Sequence, residues 1–138
     1  MTICEKEQKF IADFNELDDW FLQYEYLIES SCGMPELPEI LRTGKNRVPG
    51  CQSGVWVDVS RNAGKILIRA HSDALIIRGI LGVLLSLLNG RTPEEIEHYQ
   101  MRFIKETPLM QQTSTDRFQG ISAVLAEIKE RIKEEGEI

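Results

Sequence analysis

The sequence predicts an α+β domain in which a small antiparallel sheet of about three strands packs against helices. Two short stretches in the middle of the chain alternate apolar and polar residues, and turn residues separate them. The segments on either side carry apolar residues at spacings of three and four, which is typical of amphipathic helices. Because strands and helices are segregated along the chain, a parallel sheet built from alternating strands and helices has no support.

The first predicted element is helical and extends from about residue 4 to residue 30. One face carries apolar residues spaced alternately by four and three: Phe10, Phe14, Leu17, Phe21, Tyr24 and Ile28. Asn15 and Asp18 are residue types that cap helix N-termini, so either one bent helix or two consecutive helices fit the pattern. Residues 31 to 45 contain two prolines and two glycines and are predicted to form a connecting loop.

The segments VWVDVS and KILIRA, joined by the turn residues RNAG, are predicted to form a β-hairpin. A further short strand is predicted around Arg47 and Val48. This arrangement places Cys51 in a turn between strands, at one end of the sheet.

Residues 71 to 90 are the most apolar stretch and predict a helix packed on the sheet. Ser72 or Asp73 is expected to cap its N-terminus, and Asn89 and Gly90 are expected to end it. Its apolar run, residues 80 to 88, is shorter than the about 20 residues that cross a bilayer, so no membrane span is expected.

Two further helices are predicted after this one. Thr92 and Glu95 form a capping box around Pro93, which marks the start of a short helix. The last helix has apolar residues at spacings of three and four: Phe118, Ile121, Leu125, Ile128 and Ile132. Arg117 is expected in its first turn, where the helix dipole disfavours a cation, so it is either a solvated arginine or a contact for a partner.

Length and charge restrict the function classes. With 138 residues the chain is interpreted as a single domain over residues 1–138. Its net charge of -6 argues against nucleic-acid binding, which requires clustered lysine and arginine, and favours a protein partner. The N-terminal residues lack the pattern of a signal peptide, so a cytoplasmic protein is expected.

The three cysteines, Cys4, Cys32 and Cys51, are an odd number at unpatterned spacings and are expected to be free thiols. Together with His71 and His98 they contain no closely spaced ligand pair, so no metal site is expected. His71 precedes a predicted helix and is either a base that acts on Cys51 or an exposed turn residue.

Cys51 is the candidate reactive group. A lone cysteine is most often a small buried apolar residue. Here, however, Gly50 and Gly54 flank the cysteine in a turn that another molecule can approach closely. Lys45 and Arg47 lie just upstream, and a nearby cation favours the nucleophilic thiolate.

Several motifs in order along the chain resemble the SufE family of sulfur-acceptor proteins. The stretch VPGCQSGVWV contains the cysteine motif, and SDA, TPEEI and QTSTDRFQG follow it in the family order. The N-terminal stretches DDWFLQYEYLIE and MPELPE are also similar to the family pattern, so the resemblance covers nearly the whole chain. It implies the fold that SufE proteins share with IscU scaffolds, in one SufE-like domain.

The resemblance implies a persulfide relay rather than a stand-alone enzyme. Cys51 would accept sulfur from a SufS-like or CsdA-like cysteine desulfurase, stimulate it, and pass the sulfur to a downstream scaffold for iron–sulfur cluster assembly. The partner uses pyridoxal phosphate, and no cofactor of this chain's own is implied. Gly50, Gln52 and Ser53 match the supporting loop, and Asp73 and Arg117 match positions near the docking surface.

Two alternatives stay open at this point: an IscU-like scaffold for a cluster or metal, and an interaction domain with an inert thiol. SufE-like and CsdE-like proteins are not separated by these motifs. His71 stands where relatives often have a small or acidic residue, and Cys32 is additional. Either residue is a candidate to modulate Cys51.

Overall fold

The computed structural model describes residues 1–51, 53–112 and 115–136. Within these residues the elements follow one another as α1 (Ile3–Asn15), α2 (Trp20–Cys32), a 3-10 turn (Glu39–Leu41), β1 (Val55–Asn62), β2 (Lys65–Ser72), α3 (Leu75–Leu88), α4 (Pro93–His98), α5 (Leu109–Gln112) and α6 (Thr115–Gly136). Helices and one antiparallel hairpin make the fold α+β, as the sequence predicts.

The sheet consists of the predicted hairpin. β1 and β2 pair antiparallel, with Val55 opposite Ser72 and Asn62 opposite Lys65. The prediction of about three strands is wrong for the described residues, because Arg47 forms only an isolated bridge with Trp56. Val48 still donates its N–H to the carbonyl of Val55. Pairing ends after it because Pro49 and Gly50 turn the chain and proline offers no N–H group to a strand.

The N-terminal region forms two helices, and the helical pattern does not continue through the break between them. Asp19, rather than Asn15 or Asp18, caps α2, because its carboxylate accepts a hydrogen bond from the N–H of Leu22 at 2.9 Å. The break changes which face of the helix points inward. Phe21, predicted to lie in the core, is 68% exposed, whereas Leu27 is fully buried.

The core lies where α3 contacts both the hairpin and α2, while α6 packs against β1. The apolar positions of the hairpin face this core in alternation, as Val57 and Ala70 do opposite one another. The capping box of α4 is present, and Gly90 has the positive φ of +82° expected after α3. Among the helices in the described part of the chain, none has the length and apolar character needed to cross a bilayer.

A buried carboxylate connects α1 to the segment after α4. Glu7 is 1% exposed. It accepts hydrogen bonds from the hydroxyl of Tyr99 at 2.6 Å and from the backbone N–H groups of Arg102 and Phe103 at 2.8 and 3.1 Å. Burial and the neighbouring Glu7 raise the pKa of Tyr99. Three donors compensate for burying the carboxylate, so this cluster fixes α1 to the rest of the fold.

Candidate functional site

Cys51 lies in a loop whose base is closed by backbone hydrogen bonding. The N–H of Val48 donates to the carbonyl of Val55 at 2.8 Å, so the chain leaves the sheet region after Val48 and re-enters it at Val55, at one point. Gly50, directly before the cysteine, has a φ of +86°, a conformation that favours glycine. The chain can therefore direct the Cys51 side chain back against the body of the fold.

The thiol of Cys51 is half-buried against α6. Its S–H group donates to the backbone carbonyl of Gly120 at 3.4 Å. Burial raises the pKa of Cys51, and the charge of Arg47 offsets part of that rise. The resting sulfur is therefore a protonated thiol at neutral pH, with a cation close enough to favour the thiolate once burial is relieved.

A narrow cleft continues from the thiol between three elements. Apolar walls come from Val55 of β1, Ile77 of α3 and Ile121 of α6, and Ser53 and Arg117 are also part of the lining. The cleft has a volume of about 20 Å³. Because about 10 to 15 Å³ is enough for one water molecule, the space beside the sulfur accommodates roughly one added atom of similar size.

Gly120 is a site residue that the sequence reasoning missed. A Cβ at this position would lie 3.6 Å from the sulfur of Cys51, so the absence of a side chain leaves open the space beside the thiol. The available signal was a glycine inside a predicted amphipathic helix, which costs about 0.5 to 1 kcal/mol relative to alanine. Such a glycine indicates a close approach by another part of the molecule.

The other side of the loop rests on Asp73 and Trp56. Gly54 fits between them, since a Cβ there would lie 2.8 Å from Oδ2 of Asp73 and 2.5 Å from the indole ring. The N–H of Asp73 donates to the carbonyl of Gly54 at 3.3 Å. The Asp73 carboxylate itself is 71% exposed.

The predicted capping role of Asp73 is wrong. The residue that precedes α3 is Ala74, which has no side-chain cap, and the hydroxyl of Ser72 accepts a hydrogen bond from the N–H of Ala74 at 3.2 Å. The chain turns one residue later than the sequence suggests, which leaves the Asp73 side chain beside Gly54 instead of over the helix end.

Arg47 stands over the ring of Trp56, with 5.8 Å from the guanidinium carbon to the ring centroid. This cation–π contact and the backbone bridge between the same two residues hold the arginine on the Cys51 side of the sheet. Of the two upstream cations considered from the sequence, Arg47 is the one that acts on the Cys51 pKa.

The fold brings together several residues that the sequence singled out. Cys51, Ser53 and Arg117 line one cleft, while Gly50 precedes the thiol in the loop. Asp73 lies on the opposite side of the loop at Gly54. Gln52 lies outside the described residues.

Three other candidate residues lie elsewhere. His71 is not part of the described lining of the cleft; it is a buried residue at the end of β2 that pairs with Glu36, not an exposed turn residue. Cys4 and Cys32 are exposed, on α1 and at the end of α2, and all three cysteines are free thiols. Within residues 1–51, 53–112 and 115–136, no three or more histidine, cysteine or acidic side chains are grouped to hold a metal ion.

Comparison with known proteins places the fold and the motifs in context. A family model described as "SufE: Fe-S metabolism associated domain" matches residues 8–132. The solution structure of a hypothetical protein from Thermus thermophilus is similar to this chain, with a TM-score of 0.79 and 21% sequence identity. The similarity covers 96% of this chain and 97% of that one, and at this identity it shows the shared fold.

Proposed function

Because the chain belongs to the SufE family, and so to proteins associated with Fe–S metabolism, we propose that it is a sulfur acceptor for a cysteine desulfurase. Cys51 receives sulfur as a persulfide and passes it on for iron–sulfur cluster assembly. The observation that carries the proposal is the Cys51 thiol itself, half-buried in a loop next to a cleft with room for about one added atom.

The proposed step is an exchange that needs no external oxidant or reductant. The thiolate of Cys51 attacks the outer sulfur of the persulfide on the desulfurase, forms a new S–S bond, and breaks the bond to the partner's cysteine. The proton lost from Cys51 is balanced by the one that the departing thiolate takes up. One thiol and one persulfide are consumed, and one thiol and one persulfide are produced.

The resting position of Cys51 suits the storage of such a group. Its burial raises the pKa of the thiol and keeps it from reacting with other electrophiles, since the thiolate is the nucleophile. Moving the loop outward removes the burial while the base of the loop at Val48 and Val55 stays paired. Arg47 is held on Trp56 and does not depend on the loop for its position, so it then favours the thiolate.

Docking is proposed around the mouth of this cleft. Arg117 lies in its lining, and the exposed Asp73 carboxylate lies beyond Gly54, so opposite charges flank the loop. A SufS-like or CsdA-like desulfurase with matching charges would approach here, and the pyridoxal phosphate that generates its persulfide belongs to that partner. A downstream scaffold for cluster assembly is the recipient.

The test is an intact-mass measurement. The chain is incubated with a cysteine desulfurase, pyridoxal phosphate and free cysteine, without added reductant. The expected product carries the added mass of one sulfur atom, and Cys51→Ser abolishes it. Cys4→Ser and Cys32→Ser are the matched controls, because both thiols are exposed yet have no assigned role, and both variants should still gain the sulfur.

Two results would contradict the proposal. Iron or zinc bound stoichiometrically to the purified chain would favour an IscU-like scaffold. If Cys51→Ser stimulates the desulfurase normally and the parent chain gains no mass, the result would favour an interaction domain with an inert thiol.

A further inference from the structure

His71 is a buried histidine whose two ring nitrogens both face carboxylates. It is 7% exposed at the end of β2. Nδ1 hydrogen-bonds to Oε1 of Glu36, and Nε2 lies 3.6 Å from Oδ1 of Asp73, an ion-pair distance. Each ring nitrogen therefore lies beside a carboxylate oxygen, which is a hydrogen-bond acceptor.

Glu36 is a fixed partner for this ring. Its segment pairs with β2, since the N–H of Leu37 donates to the carbonyl of Ala70 at 3.1 Å and the N–H of Ala70 donates to the carbonyl of Pro35 at 3.2 Å. Arg42 adds a salt bridge to the Glu36 carboxylate at 3.3 Å. His71 is therefore anchored on its Nδ1 side by a segment whose backbone belongs to the sheet region.

Asp73 is the partner with freedom to move. Its carboxylate is 71% exposed, and its Oδ2 occupies the space where a Gly54 side chain would begin. Its N–H donates to the carbonyl of Gly54, three residues after Cys51. Contacts thus run from the anchored Glu36 through His71 and Asp73 to the end of the Cys51 loop.

We propose that His71 is a positioning residue for the Cys51 loop, acting through Asp73. Held by Glu36, the ring keeps the Asp73 carboxylate against Gly54 and so limits how far the loop opens at rest. The biological use of this restraint rests on the proposed sulfur-acceptor function. The restraint itself is a property of the free chain and is tested without any partner.

Amide hydrogen exchange measured by NMR on the free chain tests the proposal. In His71→Asn the side-chain amide replaces Nδ1, so the contact with Glu36 is kept and the contact with Asp73 is lost. In His71→Gln the amide replaces Nε2 and keeps the contact with Asp73. Because an ion pair with an exposed partner is worth about 0 to 1 kcal/mol, the Asp73 amide should exchange up to about fivefold faster in His71→Asn.

In His71→Gln the Asp73 amide is expected to exchange at nearly the parent rate. Loss of packing around the ring would instead accelerate its exchange in both variants. The amide of Ile68 is the internal control, since it donates to the side chain of Asn89 at 2.6 Å, and it should be unchanged in both variants. Equal acceleration in the two variants, or acceleration of the Ile68 amide to the same extent, would overturn the proposal.

A second arm starts from a substitution at an exposed side chain, so its single variant leaves the core unchanged. Asp73→Asn replaces an exposed carboxylate and weakens the same contact, so residues 48 to 55 should exchange faster than in the parent chain, and adding His71→Asn should have no further effect on them. Unchanged exchange in Asp73→Asn, or full additivity of the two substitutions, would also overturn it. Neither result would bear on whether Cys51 gains sulfur.

Discussion

The sulfur of Cys51 and the backbone carbonyl oxygen of Gly120 are 3.4 Å apart, although the two residues are separated by 69 positions in the sequence. The contact seats the thiol on a helix at a place where that helix has no side chain. It connects the Cys51 loop to α6, where burial of the sulfur raises the Cys51 pKa and a narrow cleft continues beside the thiol.

Gly120→Ala is expected to leave room for the resting Cys51 thiol but to slow the formation of a persulfide on it. The new methyl group would lie 3.6 Å from the sulfur, an ordinary contact for the thiol, but it takes space that a second sulfur needs. One methyl group in a close-fitting pocket changes a rate by about tenfold or more, so persulfide formation, followed by intact mass, should slow by about that factor.

The matched control for that substitution is Gly44→Ala, because no atom lies within 4 Å of a Cβ built at Gly44. Both variants should remain folded, and Gly120→Ala should gain up to about 1 kcal/mol in helix stability. Parent-like accumulation of persulfide in Gly120→Ala would show that the cleft does not hold the added sulfur.

Arg47→Ala is expected to raise the pKa of Cys51 further. Burial already raises it, and Arg47 is the cause that lowers it, so removing the guanidinium leaves burial unopposed. The rate of alkylation by iodoacetamide should fall about two- to fivefold at neutral pH, a charge effect expected near a protein surface, and its pH profile should move to higher pH. The assay uses a chain with Cys4→Ser and Cys32→Ser so that only Cys51 reacts.

Lys45→Ala removes the same charge two residues away and should leave that profile unchanged. The raised pKa of Cys51 also makes the stability of the fold depend on pH. Because folding raises this pKa, Cys51 contributes to the free energy of unfolding below the pKa of an unfolded thiol, and the contribution is lost as the pH rises through the raised value. A profile that moves to lower pH in Arg47→Ala would contradict the assignment.

Gly54→Ala is expected to displace the Cys51 loop. Its methyl group would lie 2.5 Å from the Trp56 ring and 2.8 Å from Oδ2 of Asp73, so one of these groups must move. We expect a loss of about 1 to 3 kcal/mol in urea denaturation and faster hydrogen exchange across residues 48 to 55. Gly44→Ala again provides the control, and unchanged exchange in Gly54→Ala would rule out Gly54 as a packed end of the loop.

Tyr99→Phe is expected to destabilise the fold without affecting Cys51. The substitution removes the hydroxyl that donates to the buried Glu7 at 2.6 Å and leaves the carboxylate with one donor fewer. The free energy of unfolding in urea should fall by about 1 to 3 kcal/mol. Tyr24→Phe, a partly exposed tyrosine on α2, should change it by less than about 0.5 kcal/mol, and equal losses would exclude a role for the Glu7 cluster.

Local chemistry determined much of this fold from the sequence alone. The hairpin followed from alternation and from a turn at Ala63 and Gly64, whose positive φ values of 54° and 79° suit a two-residue hairpin turn. The start of α4 followed from the Thr92 capping box, and the place of Cys51 in a turn followed from its glycine neighbours. These features depend on residues a few positions apart, so their spacing is visible in the chain itself.

The tertiary structure decided what depends on distant contacts. The exposure of Phe21 follows from how α2 is rotated after a break, and the burial of His71 follows from pairing with Glu36, 35 positions earlier. The partial burial of the Cys51 thiol follows from its contact with Gly120 on α6. No local pattern specifies these distances, because they are fixed by how helices and sheet pack together, and it is that packing that sets the protonation of the thiol and the space beside it.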